Sequence, residues 1–362
     1  MKKNFSAKKV GRTLVMLMGT ALILTGCAST SPTVEPTTAS VSSASVLHPA
    51  SASTIATSTE PLGAFNVNDL GVSNIVNVAF IESKIGDPSW VIIDGRSKED
   101  YEKGHIPGAV NFGKTIVTTL KHPVDGRVLP KDVVAKLMGQ IGISVDKKLI
   151  VYGTKTDYHV GIEMYPLYLG VPEWDYLDGG YEGWVKANKK VDTAPVKLAP
   201  TTFTLNVKNK NLYVSTEQLA AIVEKKAPKV TIIDTRSEGE YTGATVDGIR
   251  GGHIPGALWF TQTVNQDKEG FFLAKDKLAE LYKDIPKDNT IILYCHRGCR
   301  TTFSFLALRS LGYTDVRVYE DGFIVWGAQQ DKPVDDEHYA NFRGTNSTIA
   351  DLQKQIKVLQ AQ

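Results

Sequence analysis

Cys295-His296-Arg297-Gly298-Cys299-Arg300 is the stretch of this sequence whose residue types and spacing point most directly to chemistry. It follows the β-branched run Thr290 to Tyr294, which reads as a buried strand, and precedes Thr301 to Leu311, which reads as a helix closed by Gly312. A cysteine between a strand end and a helix start faces unpaired backbone N–H groups and the positive end of the helix dipole. Both stabilise a thiolate. A free thiol has a pKa of about 8.5, and such a setting, with Arg297 and Arg300 beside it, lowers that value and supplies a nucleophile at neutral pH. Gly298 lets the backbone curl around a bound anion without a clashing Cβ. The competing reading makes Cys295 a buried structural thiol.

The elements that must position this loop occur twice. Val91-Ile92-Ile93-Asp94-Gly95-Arg96-Ser97 recurs as Thr231-Ile232-Ile233-Asp234-Thr235-Arg236-Ser237, and Gly104-His105-Ile106-Pro107-Gly108-Ala109 as Gly252-His253-Ile254-Pro255-Gly256-Ala257. Leu149 to Tyr152 answers Ile291 to Tyr294, and Asp178-Gly179-Gly180 with Trp184 answers Glu320-Asp321-Gly322 with Trp326. Anchors kept in one order mean a duplicated domain. Short runs such as Val230 to Ile233 alternate with helical patterns such as Ser215 to Glu224, with Ser215 as N-cap, and Lys275 to Tyr282. Each copy is therefore expected to be α/β, a mainly parallel sheet with helices on both faces and its ligand site beyond the carboxyl ends of the strands. The first copy has Gly153 where the second has Cys295, and no cysteine lies between Cys27 and Cys295.

With these motifs in order, from about residue 65 to 330, the sequence resembles the tandem rhodaneses, the two-domain thiosulfate or 3-mercaptopyruvate sulfurtransferases. The resemblance implies two half-reactions: the Cys295 thiolate takes the outer sulfur of a donor such as thiosulfate, and a thiophilic acceptor, cyanide or a thiol, removes it from the resulting persulfide. The N–H groups of residues 296–300 would cradle that sulfur. Neither metal nor organic cofactor is needed. The first copy would be a catalytically silent partner packed on the second. Arg297 occupies a loop position where thiosulfate enzymes of the family often carry a base, and its charge suits a dianionic donor. Arg300 is a second anion contact, and Arg250 is placed to swing in from the neighbouring segment. Glu240 and Val246 stand where mercaptopyruvate enzymes usually place substrate arginines, the first of which also serves thiosulfate enzymes. This weakens mercaptopyruvate most and leaves the donor open. Phosphatases and arsenate reductases related to this fold use a longer Cys-x5-Arg loop, whereas Arg300 closes a Cys-x4-Arg ring, favouring sulfur. A noncatalytic sulfur-sensing or binding module is the remaining alternative.

Nearby residues have plainer roles. Cys299 is read as a spacer, with a resolving disulfide to Cys295 as the alternative. His105 and His253 lie in Pro-Gly turns and are read as structural hydrogen-bonders rather than acid–base groups or metal ligands. Asp234 and Arg236 are expected to brace the loop by an ion pair.

The 362 residues, 42% hydrophobic and 22% charged, suit a soluble two-domain protein and argue against a polytopic membrane protein. Lys2, Lys3, Lys8, Lys9 and Arg12 precede an apolar run from Leu14 to Leu24 that ends in Leu24-Thr25-Gly26-Cys27. This resembles a bacterial lipoprotein signal, with residues 1–26 removed and Cys27 lipidated, which places the protein outside the cytoplasm on a membrane. The formal charge of +2 then becomes −3, from 36 basic and 39 acidic side chains, and suggests no nucleic-acid partner. Residues 27–62, rich in Ser, Thr, Ala and Pro, read as a tether with a reach of roughly 30 Å. Residues 63–186 form the copy without cysteine, 187–212 a linker, 213–330 the catalytic copy and 331–362 a tail. In the tail Ile349, Leu352, Ile356 and Leu359 suggest a short helix docked on its own domain, or a weak self-association seam.

Overall fold

The computed structural model describes residues 61–65, 71–111, 119–122, 128–155, 164–207, 210–341, 344 and 351–356. The export signal, Cys27 and most of the tether lie outside them. The first half runs β1 (Val72–Val76), α1 (Val78–Glu82), β2 (Trp90–Asp94), α2 (Lys98–Lys103), β3 (Val110–Asn111), α3 (Lys131–Gln140), β4 (Lys148–Tyr152), α4 (Met164–Leu169), β5 (Glu173–Leu177) and α5 (Gly180–Lys186). The second runs α6 (Thr216–Lys225), β6 (Val230–Asp234), α7 (Glu238–Tyr241), β7 (Arg250–His253), β8 (Leu258–Trp259), a 3-10 turn (Gln262–Asn265), α8 (Lys275–Leu281), β9 (Thr290–Tyr294), α9 (Thr301–Ser310), β10 (Val316–Val318), α10 (Gly322–Ala328) and β11 (Asp335–Tyr339).

Two parallel sheets result, ordered β1-β5-β4-β2-β3 and β10-β9-β6-β8. The duplication predicts this correspondence. In the second half the counterpart of β1 shrinks to the parallel bridge Tyr213–Val318. Central strands such as β9 are buried on both faces, which is why they read as continuous apolar runs without alternation. Ser215 accepts from the Gln218 N–H while Gln218 reaches back to the Ser215 amide, a reciprocal cap that starts α6 where the sequence places a helix.

The two halves share one apolar core. Tyr176 of β5 packs edge-on against Phe303 of α9 at 5.5 Å and against Phe272 at 6.0 Å, so the interface is built like an interior. The segment read as a linker runs along the first half, where Phe203 is buried and the Thr201 and Asn206 amides donate to Gly139 and Leu169 carbonyls.

Two features differ from expectation. Strand β11, which lies in the segment read as tail, pairs antiparallel with β7. Residues 351–356 are helical, but Leu352 and Ile356 are each 52% exposed, so this stretch does not dock as expected. Ile349 and Leu359 lie outside the described residues. No helix among the described residues is long and apolar enough to cross a membrane.

Candidate active site

Strand β9 delivers Cys295 to the carboxyl edge of the second sheet, where the thiol-bearing residue is only 1% exposed. The loop that follows divides its backbone groups by direction. Its carbonyls are all met by donors: Cys295 by the Phe323 amide at 2.8 Å, His296 by the Ile324 amide at 3.1 Å, Gly298 by Thr301 Oγ1 at 2.6 Å and Cys299 by Thr302 Oγ1 at 3.2 Å. The Arg297 carbonyl is met by Lys121 Nζ. The amides of His296, Arg297, Gly298 and Cys299 have no acceptor among the described residues. Buried backbone donors are almost always paired, so such a set is a ready receptor for an anionic atom.

Two glycines make this path sterically possible. Gly298 has φ +86°, and a Cβ there would collide with the Glu320 carboxyl. Gly322 has φ +67°, and its Cβ would meet the His296 carbonyl oxygen at 2.5 Å. Both need backbone conformations and clearances that only glycine supplies cheaply.

Asp234 and Arg236 sit at the carboxyl end of β6, fully buried. Arg236 Nε and Nη2 bond Asp234 at 3.0 and 2.7 Å, Nη2 reaches the Gly252 carbonyl at 2.6 Å, and the guanidinium lies 4.0 Å over the Phe323 ring. The pair thus ties β6 to β7 and to the start of α10, which in turn holds the loop. His253 Nδ1 pairs with the Tyr241 carbonyl and stacks on that ring at 3.7 Å, and His105 does the same with Tyr101 at 3.8 Å.

Arg297 is exposed. Arg300 touches the Cys295 side chain, but both of its terminal nitrogens bond Glu240 at 2.6 Å. Burial alone would raise the Glu240 carboxyl; the two Arg300 bonds and the Ser237 cap instead bring it down to about 2. Arg300 therefore arrives already neutralised. His296 is half-buried, and desolvation with Arg297 and Arg300 nearby pushes its pKa down to about 4, leaving it neutral at pH 7. Arg250 is not brought to the loop. Strand β7 turns it into the end of α10, where it donates to the carbonyls of Gly327 at 3.2 Å and Gln329 at 2.7 Å, and pairs with Glu337 at 2.7 Å. The expected swing into the site is corrected: orphan helix carbonyls and an acid on β11 hold it elsewhere.

Cys299 points beneath the loop, 3.8 Å from the Arg297 carbonyl, and burial pushes its thiol up to about 12. It is a neutral thiol there, not a resolving thiolate. The residues beside it were not legible as site residues. Lys121, from the first half, bonds Glu320 at 2.9 Å, the Arg297 carbonyl and Cys299, with both side chains of the ion pair under 10% exposed (6% and 8%). Burial opposes the Lys121 charge, but the paired Glu320 carboxylate and the nearby Cys295 favour it.

The first half keeps the scaffold without the thiol. The Gly153 carbonyl accepts from the Tyr181 amide at 2.9 Å, as the Cys295 carbonyl does from Phe323, and Gly180 has φ +58° against it. Arg96 grips Asp94 at 2.6 Å and the Gly104 carbonyl at 2.7 Å. The difference lies in the amides. Glu182 accepts from the Lys155 N–H at 2.8 Å, whereas Ile324 stands at the corresponding place in the second half.

Comparison with known proteins agrees with this geometry. A family model described as "Rhodanese-like domain" matches residues 78–187 and again 215–329. The 3-mercaptopyruvate sulfurtransferase of Escherichia coli K12 is 30% identical over 280 residues, covering 72% of this chain and 97% of that protein. The thiosulfate sulfurtransferase of Pseudomonas aeruginosa is 27% identical over 267 residues, covering 72% and 96%. Among solved structures, an anaerobic ergothioneine biosynthesis enzyme from Chlorobium limicola superposes with a TM-score of 0.64 at 17% identity, covering 72% of this chain and 69% of that one, which is a likeness of fold.

Proposed function

The chain belongs to the rhodanese-like domain family, homologous over both halves to sulfurtransferases, and on that premise we propose that it moves sulfane sulfur through a persulfide on Cys295. The observation that carries the proposal is the set of amides of residues 296–299, without an acceptor among the described residues, in the loop that follows a cysteine at the end of a buried strand. In the first step the Cys295 thiolate attacks the outer sulfur of thiosulfate. An S–S bond forms to Cys295, the S–S bond of the donor breaks, and its electron pair leaves on sulfite. The outer sulfur then carries negative charge beside amides that have no acceptor among the described residues, as in an oxyanion hole. In the second step cyanide or a thiol attacks that sulfur and the Cys295 thiolate leaves. No step needs a metal or an organic cofactor.

Arg297 is the cation left to meet the donor's charge, since Arg300 is engaged by Glu240. A slender donor suits a nucleophile that is almost wholly buried. The box ending at Cys27 further supports an exported form held on a membrane by lipid at that residue.

Incubation with thiosulfate and cyanide should release thiocyanate, and Cys295→Ser should abolish it. Mass spectrometry after thiosulfate alone should place one added sulfur on Cys295 and none on Cys299. A wild-type rate no higher than that of Cys295→Ser across thiosulfate, 3-mercaptopyruvate and thiol acceptors would overturn the assignment.

A further inference from the structure

A loop that aims its amides at a ligand must turn its carbonyls the other way, and each buried carbonyl then needs its own donor. The second half supplies four of the five from within itself: two amides of α10 and two threonine hydroxyls of α9. The Arg297 carbonyl, midway along the loop, is met weakly from its own half by the Cys299 thiol at 3.8 Å and takes its charged donor from the other half of the protein. That donor is Lys121, whose ammonium also pairs with Glu320 at 2.9 Å. Glu320 in turn lies directly under Gly298, occupying the space a side chain there would take. One buried cation thus fastens the middle of the loop to its floor.

We propose that Lys121 is a positioning residue for sulfur transfer, supplied across the domain interface by the half that has no cysteine, and that it holds the loop amides in the arrangement that receives the outer sulfur on Cys295. The inference rests on the persulfide reading above. It also gives the silent half a definite role, because the active loop is complete only when the two halves are docked.

The duplication provides an internal control. Antiparallel bridges Lys121–Val128 and Gln266–Phe272 stand at equivalent places in the two halves. Gln266 crosses the interface as Lys121 does, donating to the Lys155 carbonyl at 3.4 Å, and Lys155 corresponds to Arg297. Asp178, the counterpart of Glu320, likewise reaches across, accepting from the Phe272 amide at 2.8 Å. So each loop is fastened by the opposite half. Under the loop without a thiol the fastener is a neutral amide; under the loop with the thiol it is an ammonium. A role limited to holding a carbonyl would be served by either group. The charge goes with the cysteine: Lys121 holds its ammonium against Glu320 at 2.9 Å, and Cys295 is among the groups that favour its protonated form.

The test compares three variants of the full chain. Lys121→Gln installs the neutral donor of the mirror site, Lys121→Arg keeps the charge, and Lys121→Met with Glu320→Gln removes the tie without stranding a buried carboxylate. Two readouts are needed: kcat and KM for thiosulfate with cyanide, and hydrogen exchange of the peptide spanning 295–300. The double variant should lose about 30-fold or more in kcat with KM changed less than about threefold, as for an interaction expressed in the transition state. Its loop should exchange faster while Tm stays within a few degrees. Lys121→Gln should fall between it and wild type, and Lys121→Arg should recover most of the rate. Wild-type kcat and wild-type loop exchange in the folded double variant would overturn the proposal. Failure of the sulfur-transfer reading has a different signature, a wild type with no Cys295-dependent turnover. Even then the exchange data decide whether Lys121 positions the loop.

Discussion

Glu240 and Arg300 form a bidentate pair, each contact 2.6 Å, in which the carboxylate also serves the cap of α7 through Ser237. The loop-closing arginine is thereby anchored and spent. Its charge, which the sequence offers to an anionic donor, is returned to an acid four positions into the segment after the Asp-x-Arg clamp.

Glu240→Gln should therefore improve the use of thiosulfate. Glutamine at the third position of a helix preserves the reciprocal cap with serine, so the change removes charge with little local rearrangement. Arg300 then faces the donor with its charge unspent. The expected gain in kcat/KM for thiosulfate is about three- to tenfold at low salt, shrinking as ionic strength rises. An uncharged sulfane donor should gain nothing. Steady-state kinetics at two salt concentrations measure both, and a fall in thiosulfate kcat/KM would show that the anchoring of Arg300 matters more than its charge.

A second prediction comes from the loop of the first half, which has no thiol. There Glu182 takes the Lys155 amide at 2.8 Å, an internal carboxylate where the Cys295 loop has Ile324 at the equivalent position and an Arg297 amide with no acceptor among the described residues. Ile324→Glu should transplant that self-occupation. Sulfur transfer should drop by about 100- to 1000-fold, as when an oxyanion-hole donor is lost, while Ile324→Gln should lose much less. Equal losses in the two variants, read as initial rates of thiocyanate formation, would point to packing damage instead of amide occupation.

The duplicated α/β architecture was legible because buried parallel strands write themselves as short β-branched runs, and the repeat supplied four anchors to align. Cys295 and its loop were legible for the same local reason: strand end, glycine and bases are contiguous. Lys121 was not. It belongs to the copy without the thiol and meets Arg297 across 176 positions of sequence, a relationship made by docking. Arg250 was misread for the converse reason. It is near the site in sequence, but β11, an exposed acidic strand with no apolar pattern to announce it, pairs with β7 and draws the guanidinium to the end of α10.

The interface also carries a pH signature. Asp178 accepts from the Phe272 amide across the two halves, and burial, its largest influence, together with Asp267 raises its carboxyl from 3.8 to about 6 against the hydrogen bonds that oppose this. A carboxyl whose folded pKa lies above its unfolded value binds its proton more tightly when folded. Its contribution to stability is complete below about pH 3.8 and is lost as pH rises through about 6. At pH 7.5 the protein thus holds an ionised Asp178 in a site that disfavours it. Asp178→Asn keeps an acceptor for Phe272 and removes the charge. Allowing for the partial exposure of this side chain, the variant should gain about 1 kcal/mol at pH 7.5, a Tm rise of about 2 to 4 °C, and nothing at pH 4. Thermal melts at the two pH values test this. A variant that melts lower at pH 7.5 would mean that the ionised carboxylate is the better partner for Phe272, and a gain of equal size at pH 4 would trace the effect to something other than the charge.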